Sequence, residues 1–194
     1  MNDDSLTDRL PLVEGAVAGV SAYVFGYLVT YLATSGSMEE RLSGFNFIAE
    51  LFGGEPISVW QGVGWLFYNA HFVRTRATGG LGGPRSQNFI AASDGGAIVL
   101  LYLVPVVLLV GVGFVVARLA GADEAADAAA AGAAVTLGYF PLALTGRFLF
   151  SYDGSVAPDL VTALLLAGLV YPLIFGAVGG AAWSVFSEDN RFAE

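Results

Sequence analysis

The run from Ala97 to Ala117 (AIVLLYLVPVVLLVGVGFVVA) contains no charged residue. At about 1.5 Å of rise per residue it reaches roughly 30 Å, the thickness of a bilayer's hydrocarbon core. A helix that is apolar on every face has no side to present to water. The run predicts a transmembrane helix, and everything else in the chain has to fold around lipid as a solvent. Three more long apolar runs occur, so four spans are expected, at about 12–34, 97–119, 125–146 and 160–186. The fold class that follows is an all-α integral membrane bundle forming one membrane domain over residues 1–194.

Composition agrees. Hydrophobic residues make up 56% of the 194 and charged residues 13%, about half the charged share of a soluble domain. All eight basic residues are Arg, there is no Lys, and the net charge is -9. Acidic, Lys-free loops suit very high salt, where the Debye length falls to about 3 Å and clustered acids repel little. The same acidity makes nucleic acid and anionic headgroups poor partners. The absence of Cys excludes disulfides and thiolate sites, and the single His71 leaves little room for a zinc site. No cofactor or metal is expected.

Span one opens after Pro11, with Glu14 in the first turn, where the helix dipole favours a carboxylate. The apolar run is too long for a signal core, so the span is expected to be retained. Gly15, Gly19, Ala22 and Gly26 line up as a small-residue stripe that lets another helix come close. Tyr23, Tyr27 and Tyr31 form a second stripe, and their hydroxyls need partners in lipid, so that face meets protein or a wet solute path. Span three repeats small-xxx-small spacing at Ala128/Gly132 and Ala134/Gly138, which places it centrally. Arg147 closes it, suited to the C-terminal dipole and able to reach the headgroups. Span four carries Gly176 and Gly180 in a GxxxG. Pro105, Pro141 and Pro172 interrupt spans two to four, and proline bends or breaks a helix.

The long connection, 35–96, has structure of its own. Helical spacing is clear in 38–52, a Gly53-Gly54-Glu55-Pro56 break follows, and 57–73 (ISVWQGVGWLFYNAHFV) is uncharged and aromatic-rich. The pair predicts a membrane-associated hairpin over 38–73 that lies on the membrane or re-enters it, with a fifth full span over 57–73 as the rival. His71 shares a helix face with Trp60, Val63/Gly64 and Phe67. It is either a partly buried His bonded to a loop carbonyl or carboxylate, or a group with a pH-sensing or ligand role. Residues 74–96, with their Gly79–Gly83 run, read as a flexible connector; no Lys-Ser/Thr follows to make a phosphate loop.

Enzymatic motifs are missing: there is no HExxH, no GxSxG, and Asp153-Gly154-Ser155 lacks the later Asp residues of a metal-dependent phosphatidyltransferase. No ionisable residue lies in the middle of a span, which argues against ion-coupled pumping. The chain resembles a group of uncharacterised haloarchaeal multi-pass membrane proteins, loosely labelled transporters. The resemblance rests on Glu14-Gly15-Ala16 running into Gly26-Tyr27, on Gly64-Trp65 to Val73, and on the Pro105 span. It implies a multi-pass cell-membrane protein in a high-salt organism and assigns no activity. Two functions compete. One is a transporter- or channel-like homo-oligomer whose path or packing face includes Tyr23, Tyr27, Tyr31, Glu14, His71 and Arg147. The other is a non-catalytic assembly or scaffold subunit bound to other membrane proteins. Arginine counts leave orientation open, because Arg74 and Arg76 lie far from the span ends in sequence.

Overall fold

The computed structural model describes residues 11–78 and 83–191, with side chains of the last helix described up to Ser187. Four helices are long and apolar enough to cross a membrane: Leu12–Leu51, Gly96–Ala120, Ala125–Leu149 and Leu160–Ser187. The chain is mostly helical, but it is not all-α. Its polar end carries a small antiparallel sheet.

Helix α1, Leu12–Leu51, is 40 residues long and so about 60 Å, twice the core of a bilayer. The break expected after Thr34 is absent, and the first arm of the hairpin is simply the continuation of span one. Hydroxyls explain how the polar patch stays helical. Thr30 donates to the Gly26 carbonyl (2.8 Å), Thr34 to Thr30 (2.7 Å) and Ser37 to Thr34 (3.0 Å), so each bonds back to its own helix. The chain then reverses through Gly53 (φ 75°). Asn46 fastens the return by donating to the Ile57 carbonyl (3.0 Å) and accepting from its N–H (2.8 Å).

Helix α2, Val59–Ala70, has 12 residues, about 18 Å, too short for a fifth span. Nor does it lie on a surface, since every residue from Gly62 to Ala70 is buried. The glycines make that enclosure possible: a Cβ on Gly64 would collide with the Phe150 ring and one on Gly62 with Met38. At its start Gln61 Nε2 donates to the Ser151 carbonyl (2.9 Å) and Trp65 Nε1 to the Phe150 carbonyl (2.7 Å), both at the end of span three. Its Tyr68 and the His71 that caps it reach Tyr23, Tyr139 and Tyr171, midway along spans one, three and four. The helix therefore enters the bundle from one end and stops about halfway.

The segment expected to be a flexible connector is partly ordered. Strand β1 (Thr75–Ala77) pairs antiparallel with β2 (Arg85–Gln87) and with β3 (Val156–Pro158), in the order β2-β1-β3. Thr75 sits opposite Gln87 on one side and Pro158 on the other. Residues 79–82 of the glycine run lie outside the described residues.

Span two begins as a 3-10 segment, Gly96–Tyr102, and continues as α3, Leu103–Ala120, which ends at left-handed Gly121. Span three is α4 (Ala125–Ala133) and α5 (Thr136–Leu149). It breaks at Ala134-Val135 and not at Pro141, which sits inside α5. Span four starts with a turn at Leu160–Thr162, widens into a π-helical stretch at Ala163–Val170, and ends as α6, Tyr171–Arg191. Pro172 follows the wide stretch directly and has no N–H to close a normal α turn there.

Small residues bring the spans together. A Cβ on Gly180 would meet the Ala128 carbonyl, and one on Gly132 the Gly176 carbonyl, while Gly19 and Gly138 seat α1 on α5. Span three is the most enclosed, with 50% of its apolar window buried against 22% for span two, as its small-residue spacing predicts.

Candidate functional site

Seven residues of sequence, Phe67 to Val73, carry the site's centre to the middle of the bundle. His71 caps the C-terminal end of α2 and is fully buried. Its Nδ1 lies 2.8 Å from the Phe67 carbonyl and its Nε2 lies 2.7 Å from the Tyr139 hydroxyl. A carbonyl can only accept, so Nδ1 carries the hydrogen. In the neutral imidazole Nε2 then accepts from Tyr139. The tautomer is thus assigned by its partners.

A ring of tyrosines surrounds this pair. Tyr171 stands 5.0 Å from the imidazole, and Tyr23 makes edge contacts with Phe67 (5.0 Å) and Tyr139 (5.2 Å). The Tyr68 hydroxyl donates to the Ala143 carbonyl, so across 3.2 Å it is Tyr23 that donates to Tyr68. The hydroxyls of Tyr23, Tyr68 and Tyr139 and both imidazole nitrogens find partners, which is what a low-dielectric interior demands.

The chain leaves this centre by an unusual turn. Phe72 has φ 59°, a left-handed conformation rarely taken by a bulky residue. Its ring stacks on Tyr102 at 4.5 Å. Asn69, fully buried, holds the exit in shape: its amide donates to the Val73 carbonyl (2.8 Å) and its oxygen accepts the Phe89 N–H (2.7 Å).

The predicted residues fall into four groups. Tyr23 and His71 belong to the buried cluster, though they touch each other only through Phe67 and Tyr139. Tyr27 donates to the Trp60 carbonyl (3.0 Å) and stacks on Phe150, and Tyr31 packs beside it at 6.2 Å. The tyrosine stripe therefore faces α2. Glu14 is exposed in the first turn of α1, far from the rest.

Arg147 lies in the last turn of α5, its guanidinium 5.1 Å over the Phe148 ring. It belongs to a second polar centre at the sheet end that sequence reading did not assemble. Asp159 caps span four, accepting from the Thr162 N–H (3.0 Å) and hydroxyl (2.8 Å), and pairs with Arg76 Nε at 2.6 Å. Burial raises the Asp159 carboxyl, but the Thr162 bonds and the nearby Arg76 and Arg147 charges outweigh it, and the net shift is downward. Tyr139, Tyr68, Asn69 and Asp159 were missed. Only Asp159 left a signal, as the Asp of an Asp-x-x-Thr cap before an apolar run. Among the described residues no group of three or more His, Asp or Glu is arranged to hold a metal ion.

A family model described as "Family of unknown function (DUF7978)" matches residues 1–187, and the chain belongs to that family. No curated protein and no solved structure matches it.

Proposed function

We propose that this member of a family of unknown function is a small transporter- or channel-like cell-membrane protein that works as a homo-oligomer and without catalysis of its own. One observation carries the reading. A short helix enters a bundle of four membrane-compatible helices, stops about halfway, and leaves His71 among Tyr23, Tyr139 and Tyr171. Polar groups at such depth are costly in lipid and usually mark a path or a binding place. Half-helices and interrupted spans near the midplane are the parts from which transporters build such places, and α2, the π stretch of span four and the break at Ala134-Val135 supply them here.

The hydrogen bonds of the His71–Tyr139 and Tyr23–Tyr68 pairs are closed, so this conformation is shut at its centre. Opening requires α2 to part from α5, and the bonds of Gln61 to Ser151 and Trp65 to Phe150 latch it at the rim. With neutral span centres, the cargo is a small uncharged solute moving passively. Four spans give one subunit little wall, hence the homo-oligomer. An acidic, Lys-free surface suits a high-salt, haloarchaeal setting.

The test uses proteoliposomes and osmotic swelling with small neutral solutes such as urea and glycerol. The wild-type protein should swell faster than empty vesicles. A Gln61→Cys/Ser151→Cys pair, feasible because the chain has no other Cys, should abolish the difference when oxidised and regain it on reduction. Swelling equal to that of empty vesicles would sink the proposal.

A second reading, an assembly subunit, is favoured by the far end of α1. Phe45, Phe47, Ile48 and Leu51 are exposed there beside Phe52. Purification from native membranes in mild detergent and high salt, followed by native mass measurement, separates the two: a stoichiometric foreign membrane protein would support this second reading.

A further inference from the structure

We propose that the sheet end holds a phosphate-binding site for a lipid headgroup, built by Arg76 and Arg147 with Arg74 beside them. In sequence Arg147 is distant from Arg74 and Arg76, and the acidity of the chain as a whole disfavours anionic headgroups, so any anion site has to be a local one. The fold gathers them around a single carboxylate. Arg76 pairs with Asp159, and the Arg147 charge acts on that same group. A cleft of about 250 Å³ opens between Arg76, Arg147, Asp159, Ser155, Leu160 and Val161. A neighbouring one of about 210 Å³ has Arg74, Arg76 and Asp159 in its wall.

Two details point to an anion. Three guanidiniums against one carboxylate leave an excess of two positive charges. In addition, the Arg147 Nε–H is buried and has no hydrogen-bond partner among the described residues. An orphan guanidinium N–H is expensive to bury, and a phosphate oxygen is the acceptor that matches its planar fork. The lipid source follows from the surroundings. Arg147 closes span three, and Leu160 and Val161, both exposed, open span four. The cleft therefore lies at headgroup level with an apolar lip on which an acyl chain can run.

Short-chain phosphatidylglycerol (dihexanoyl) serves as the probe, measured by native mass spectrometry and by shift in Tm, with inorganic phosphate in a parallel series. The expected result is binding by wild type that weakens about tenfold in Arg147→Gln and in Arg76→Gln, with Arg118→Gln at the opposite end unchanged. Arg76 is largely exposed, so its variant should fold whatever happens to Arg147→Gln. Equal binding by all three variants, equal loss in Arg118→Gln, or no binding by wild type would each overturn the site. Inorganic phosphate binding as tightly as the lipid would overturn the headgroup assignment.

Discussion

A histidine cut off from water must find a partner for each ring nitrogen within the protein, and His71 finds them in Phe67 and Tyr139. Tyr139→Phe keeps the ring but removes the hydrogen given to Nε2. The expected cost is about 1–3 kcal/mol, read as a fall in Tm of several degrees in detergent. Tyr171→Phe is the comparison, since Tyr171 meets the imidazole through its ring; it should shift Tm far less. Equal shifts would mean that the hydrogen bond contributes nothing beyond packing. Asp159 answers to pH instead. Its carboxyl is held below the ordinary range, so its stabilising contribution is complete above the unfolded value of about 3.9 and is lost as pH falls through the lower folded value. A Tm-versus-pH scan of wild type should drop below about pH 4, and Asp159→Asn should flatten that drop while being less stable at neutral pH.

Among the elements, close approach of backbones decides which glycines matter. A Cβ at Gly138 would run into the Ala16 carbonyl, whereas one at Gly111 would meet nothing within 4 Å. Gly138→Ala should push α1 away from α5 and lower Tm by many degrees or prevent recovery of folded protein. Gly111→Ala, on the open face of α3, should be neutral or slightly stabilising, as alanine favours the helix. Equal behaviour of the two would refute the α1–α5 seating. The same contrast explains what was legible in the chain. Small-residue stripes and uncharged runs carry their meaning in spacing alone, so four spans and the central place of span three could be read from them. The 57–73 run could not be placed, because Trp, Tyr and Phe suit a membrane surface and a protein core equally; only the glycines pressed against Met38 and Phe150 decide for the core. Three-residue strands leave no periodicity to find. The continuity of α1 past Thr34 depends on hydroxyls bonding back to their own helix, a choice that Ser and Thr make case by case. In the candidate site, His71 and Tyr23 stood out by residue type, while Tyr139 gains its role from a contact distant in sequence and Asn69 from the turn that brings Val73 and Phe89 to its amide.

For the whole molecule, the arrangement of arginines sets a direction across the bilayer. If the four helices cross the membrane, Arg118, the segment before span one (Arg9) and the segment after span four (Arg191) share one side, and Arg41, Arg74, Arg76, Arg85 and Arg147 share the other. By sequence Arg74 and Arg76 seemed too remote from any span to count. The fold removes that objection: the Asp159 N–H, at the start of span four, donates to the Arg74 carbonyl (2.8 Å), and the Asp159 carboxylate pairs with Arg76. Both arginines stand at a span end, where positive charge opposes translocation. The count is then five against three, which predicts a cytoplasmic sheet end. Single-cysteine variants test this without background, because the natural chain has none. Glu124→Cys, exposed in the turn between spans two and three, should react with a membrane-impermeant maleimide on intact cells. Ser86→Cys, exposed on β2, should react only after permeabilisation. The reverse pattern would turn the protein over. It would also move the arginine cleft, and the projecting apolar end of α1, to the outer face, where a cytoplasmic partner for that end could no longer reach it.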